Sequence, residues 1–182
     1  YLSRATSAFS RDDYRSVRLF AVVALESILK VLVEIALEPF SNSRFVGRLE
    51  VSAAKLRMQS LFNEYLTMTG LSKADDDSVK ESVGLFKAIW DEIKVASKQS
   101  SQILEALHLR VKTKLEYYLN SAFLQGAVMR TNSLVESGMV VEASHYLKNI
   151  MLDIVENYVW LKSSIEKVKV DYTTVMRSLE SL

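Results

Sequence analysis

The sequence predicts an all-α protein, an antiparallel bundle of six or seven helices, several of them long. Three observations carry that prediction. Apolar residues recur at the three- and four-residue spacing of helix faces. One proline and five glycines are too few for the many turns of an all-β chain. The length of 182 residues buries a core as one domain, 1–182, without the disulfides that the absence of cysteine excludes.

A short helix over Leu2 to Phe9 opens the chain, and the Arg11-Asp12-Asp13 turn supplies a capping acid for a second helix running to about Leu37. Val17, Phe20, Ala21, Ala24, Leu25, Ile28, Val31, Leu32 and Ile35 form one wide apolar face of that helix, read as core. The opposite side mixes Arg15, Arg18, Glu26, Lys30 and Glu34 with Leu19, Val22, Val33 and Leu37. Helices apolar nearly all round are covered twice, so this is either the central helix or one whose Leu19, Val22, Val33 and Leu37 meet another subunit.

Pro39 and Ser41-Asn42-Ser43 end it, and a third helix runs from Arg44 to about Thr69, with Gly70 as its C-terminal cap. Asp75-Asp76-Asp77 lacks the alternate spacing, glycine and terminal glutamate of a calcium loop. Those acids mark a helix start, with Ser78 and Glu81 at capping-box spacing. The proline-free run to Ser137 is too long for one helix and predicts a break near Leu107 to Arg110 and a kink at Gly126. Gly138 turns the chain into a helix from Met139 to about Lys162, with Val140, Ala143, Leu147, Ile150, Ile154 and Trp160 facing inward, and Ile165 to Leu179 closes the chain.

A net charge of +1, from 23 basic and 22 acidic residues, creates no global field for polyanions. Leu19 to Leu37 is interrupted by Glu26, Lys30 and Glu34, each costing about 2.5–3.5 kcal/mol in mid-bilayer, so no membrane span is expected. Cysteine-free composition fits a cytoplasmic or nuclear protein. The chain opens at Tyr1 without a signal-peptide pattern, and an upstream stretch is expected to have been removed or left out.

Glu105 with His108 and Glu142 with His145 repeat the Glu-x-x-His step of di-iron bundles, and Glu26 and Glu64 could complete the ligand set. However, Glu142 and His145 share a side with Lys148, Asn149, Asp153 and Glu156, a hydrated face, and Glu105 and His108 share one with Lys98, Ser101 and Lys112. No phosphate-cradling glycine loop or hydrolase triad is present, so no catalytic residue, metal ligand or cofactor is assigned. What remains are local cation clusters: Arg44, Arg48, Lys55 and Arg57, then Arg110, Lys112 and Lys114, able to track phosphates in a salt-dependent way. Lys162, Lys167 and Lys169 form a third group.

Tyr118-Leu119 through Arg130, Asn132-Ser133 and Gly138, together with Gly47-Arg48-Leu49-Glu50 opening a helix that ends at Thr69-Gly70, resemble the translin and translin-associated-factor family. That resemblance implies an all-α, self-associating, single-stranded nucleic-acid-binding protein. The acids that hold the metal in the family's catalytic members correspond here to Lys55, Met58 and Ser121, so it implies a binding member without a nuclease site. Arg11-Asp12-Asp13-Tyr14 followed by Ala24-Leu25-Glu26 is similar to HEPN-type helical domains, whose nucleases carry an Arg-x4-6-His motif. Neither His108 nor His145 has an arginine at that spacing. The alternative expectation is accordingly a non-catalytic helical scaffold for protein partners.

Overall fold

The computed structural model describes residues 1–39 and 44–166, except the side chains of Arg15, Ser16, Leu19, Ser163 and Glu166. Every regular element among the described residues is helical. In order these are α1 (Leu2–Phe9), α2 (Tyr14–Ile35), α3 (Phe45–Lys55), α4 (Gln59–Thr69), α5 (Asp76–Gln99), α6 (Ser101–Ala106), α7 (Leu109–Tyr118), α8 (Ser121–Glu136) and α9 (Val140–Glu166). A 3-10 turn, Leu71–Lys73, links α4 to α5. None of these helices is long and apolar enough to cross a membrane.

The described residues thus hold nine helices rather than six or seven, because the chain breaks at Arg57, Ser100, His108 and Asn120, the last two with side-chain caps. The helix expected over 44–69 is cut at Arg57, which takes a left-handed φ of 58° while the Met58 amide donates to Ala53 O at 2.7 Å. His108 caps α7 through the Arg110 amide, and Asn120 caps α8 through the Ala122 amide. α8 passes Gly126 without interruption, and α9 runs through 162–165 to Glu166. The separate closing helix is therefore absent at its start, and 167–179 lie outside the described residues. Gly70 does cap α4, at φ 73°. At α5 the cap is Asp75 itself, exchanging hydrogen bonds with Ser78, rather than Ser78 with Glu81.

α9, not α2, is the central helix: it packs against α3, α5, α6, α7, α8 and the 3-10 turn. Its Leu147, Ile154, Val155, Val159 and Leu161 join Phe86, Ile89, Trp90 and Ile93 of α5 and Leu115 of α7 in the main core. The Trp90 indole N–H is satisfied there by Tyr118 O at 2.7 Å. A second core gathers Leu29 and Val33 of α2 with Phe45, Leu49 and Ala53 of α3 and with Phe62 and Tyr65 of α4.

α2 is turned relative to the expected face. Ile28, Val31 and Ile35, read as core, are 63%, 52% and 66% exposed, whereas Val33, read as interface, is fully buried. Two causes combine. α1 has eight residues and covers only the Val17–Phe20 end of the 22-residue α2. Glu26 and Lys30, read as outward markers, are drawn inward: Glu26 bonds Tyr65 and His145, and the Lys30 ammonium stands 6.0 Å from the centre of the Phe45 ring.

Candidate functional site

The N-terminal half of α9 carries a buried polar network. Glu142 and His145, expected on a hydrated face, are 6% and 4% exposed. The Glu142 carboxylate accepts from the Gly47 amide at 2.6 Å and the Val46 amide at 3.3 Å, so α9 caps the N-terminus of α3 across the fold. Gly47 makes the approach possible, since a Cβ there would stand 3.2 Å from Glu142 Oε1. One helical turn on, His145 Nε2 lies 3.3 Å from Glu26 Oε1 and 3.0 Å from the Asn149 amide nitrogen. The Tyr65 hydroxyl donates to the same Glu26 oxygen at 2.8 Å. Burial pushes the Glu26 carboxyl up, but His145, the Tyr65 hydroxyl and Lys30 outweigh it and hold the group below its usual range. Burial first, and the Glu26 charge second, push the Tyr65 phenol up.

Most residues of the Glu-x-x-His pattern are drawn to other partners or to solvent. Glu26 and His145 do meet, but Glu142 is turned to α3, Glu64 is exposed, Glu105 pairs with Lys112, and His108 caps α7. Among the described residues no group of three or more acids and histidines could hold a metal ion.

Two of the cavities along α9 lie beyond the Glu142 cap of α3. One, of about 350 Å³ between α2, α4 and α9, has Glu26 and His145 in its lining and Arg18 and Lys148 at its rim. The other, of about 510 Å³, lies where α1, α7 and the C-terminal half of α9 converge. Tyr1, Arg4, His108, Arg110, Lys114, Asp153, Glu156 and Trp160 line it. Lys114 pairs with Asp153 at 2.6 Å, and the Tyr118 hydroxyl donates to the same carboxylate. Burial pushes the Tyr118 phenol up to about 12, helped by Asp153. The bond to Asp153 likewise raises the Lys114 ammonium. Burial and the Asp153 charge raise the Glu156 carboxyl above its usual range, although Arg4, Arg110 and Lys114 pull the other way. Arg4 lies 5.4 Å from the centre of the Tyr1 ring. Trp160, expected inward, is 45% exposed at this cavity.

The expected cation clusters are not brought together. Arg110 and Lys114 reach the larger cavity, but Lys112 points to Glu105 and Glu116 instead. Arg48 and Lys55 both pair with Glu38, while Arg44 and Arg48 line a separate cavity beside Glu142. Arg57 is exposed. Of the expected interface, Val22 lines the smaller cavity, Leu37 is exposed, Val33 is interior, and the Leu19 side chain lies outside the described residues. Trp160 had a signal in the sequence: it follows Asp153 by seven residues and Asn157 by three, on one helical stripe with them. Tyr1, Arg4 and Arg18 had none, because only folding joins α1 and α2 to α9.

No family model, curated protein or solved structure matches this chain.

Proposed function

We propose that the chain binds single-stranded nucleic acid, with the cavity between α1, α7 and α9 receiving one unpaired base and its phosphate. One observation carries the reading: the half-exposed Trp160 indole shares a cavity with Arg4, Arg110 and Lys114. An aromatic face beside cations is the arrangement that holds single strands, because every base has a stacking face and every linkage a charge. The acids oppose it only weakly. Asp153 is matched by Lys114, and the raised Glu156 carboxyl gives up its charge more readily than an ordinary one. The α3 cations take no part in this site, since Glu38 engages Arg48 and Lys55.

Titration with oligo(U) at low salt, followed by tryptophan fluorescence, tests the reading, because Trp90 is buried and Trp160 is the responsive indole. Quenching that weakens steeply with salt is expected, and Trp160→Ala lowers affinity by about 10- to 100-fold, the worth of one stacked base. Unchanged affinity in Trp160→Ala, or no binding at low salt, overturns it.

Self-association through α2 is a second reading, favoured by the uncovered Ile28, Val31 and Ile35. In an antiparallel pair of α2 helices from two copies, Ile28 of one meets Ile35 of the other about Val31, the self-matching that a two-fold contact needs. Light scattering decides it: a dimer that Ile28→Ser with Ile35→Ser converts to monomer is expected, and a monomeric parent chain ends the reading.

A further inference from the structure

The smaller cavity, on the other side of α9, contains a charge arrangement that nucleic-acid binding does not use. Its volume of about 350 Å³ is in the range of small-ligand pockets. The walls are chiefly apolar, with Val22, Leu71, Met151 and Leu152 inside and Met68 at the outer edge. No phenylalanine, tyrosine or tryptophan lines it, and the one ring that does, the His145 imidazole, is buried against Phe45 with ring centres 5.3 Å apart. Arg18 and Lys148 stand at the rim, and each donates to the last turn of α4: Arg18 to Met68 O at 3.4 Å, Lys148 to Thr69 O at 2.9 Å.

Capping a helix C-terminus is a sufficient reason for one such cation. It leaves most of their donors unused, because a guanidinium has five and an ammonium three. Among the described residues neither cation has a carboxylate within ion-pair distance. The acid in the lining, Glu26, is already engaged by Tyr65 and His145. Burial and the Arg18 charge together hold the Lys148 amine below its usual range. Two like charges at the mouth of an apolar cavity are relieved by an anion whose remaining surface is apolar.

We propose that this cavity binds a free single-chain amphiphile, its carboxylate head between Arg18 and Lys148 and its apolar tail against Leu71, Met151 and Leu152. The site is independent of the nucleic-acid reading: Trp160→Ala is expected to leave it unchanged.

Calorimetric titration of the full chain with octanoate and with octanol tests the proposal, the alcohol supplying the same tail without the charge. Saturable octanoate binding is expected, with octanol about tenfold weaker or more. Lys148→Met and Arg18→Met should each weaken octanoate about tenfold and leave octanol unchanged. Met68→Trp narrows the mouth from an exposed position and should weaken both ligands without loss of helical circular dichroism. Equal affinity for octanoate and octanol, unchanged octanoate binding by Lys148→Met, or no saturable octanoate binding by the folded parent chain overturns the proposal.

Discussion

The two halves of α9 use polar residues in opposite ways. In the first half, Glu142 and His145 are buried and hold other helices: Glu142 caps α3, and His145 meets Glu26 of α2. In the second half, Asp153, Glu156 and Trp160 line an open cavity together with residues of α1 and α7. Polar groups of the first kind are paid for in stability when removed, since a partner is left buried and unsatisfied. Of the second kind, Trp160 is exposed enough to be removed with little loss of fold, whereas Asp153 is half-buried and engaged by Lys114, Tyr118 and Asn157. A buried glutamate or histidine thus carries no functional meaning here by its type alone. For Glu142 the deciding property is that backbone amides already engage both carboxylate oxygens; the His145 ring is engaged at Nε2, while its Nδ1 is buried without a hydrogen-bond partner.

The largest expected effect tests the structural half. Glu142→Ala strips the acceptor from two amides at the start of α3, one of them buried, and is expected to cost about 2–3 kcal/mol in urea unfolding. Oligo(U) affinity should be unchanged in the fraction that remains folded. A destabilisation below about 0.5 kcal/mol, the range of ordinary surface substitutions, would show that the cap is dispensable.

A smaller effect follows from Glu26. Its carboxyl lies below the ordinary 4.5 in the folded state, so ionisation favours folding. That stability is present above the unfolded value and is lost as pH falls through the folded one. Tyr65→Phe removes one of the bonds that hold the carboxylate, at a cost of about 1 kcal/mol near neutrality. The variant should also lose less stability than the parent between about pH 5 and pH 3, because less of it depends on the ionised group. Parallel acid limbs in the two proteins would mean that the Tyr65 hydroxyl contributes nothing specific to the charged form.

The difference between the two halves also explains what could be read in the sequence. Class was legible because turn-forming residues are scarce and the apolar spacing is helical, and α1 was legible because Asp12 and Asp13 mark its end. The face of α2 was not. Charge was taken to mean outward, but Glu26 and Lys30 find inward partners in His145, Tyr65 and Phe45, which are distant in sequence. The same inference placed Glu142 on a hydrated face, and only the approach of the glycine backbone at Gly47 gives it a buried role. The break at His108 fell inside the expected Leu107 to Arg110 stretch, whereas those at Arg57 and Asn120 were missed. At Arg57 no side-chain cap marks the break, and only the left-handed backbone there ends α3.

The functional half is tested by the smallest effect, which is carried by pH. Glu156 has a carboxyl raised by burial and by Asp153, so it loses its charge at a higher pH than a free glutamate. Arg4, Arg110, Lys114, His108 and Asp153 face the same cavity. Lowering the pH should therefore strengthen oligo(U) binding as Glu156 loses its charge. Glu156→Gln removes that charge permanently. It should bind about fivefold more tightly at pH 8, the worth of one unit charge at close range in water, and the gap to the parent should narrow as the pH falls. If Glu156→Gln binds more weakly than the parent at every pH, the carboxylate is a contact and not an opponent. The cavity would then be recognising a cationic or hydrogen-bond-donating group, opposite in charge to the anion proposed for Arg18 and Lys148 beside the first half of α9.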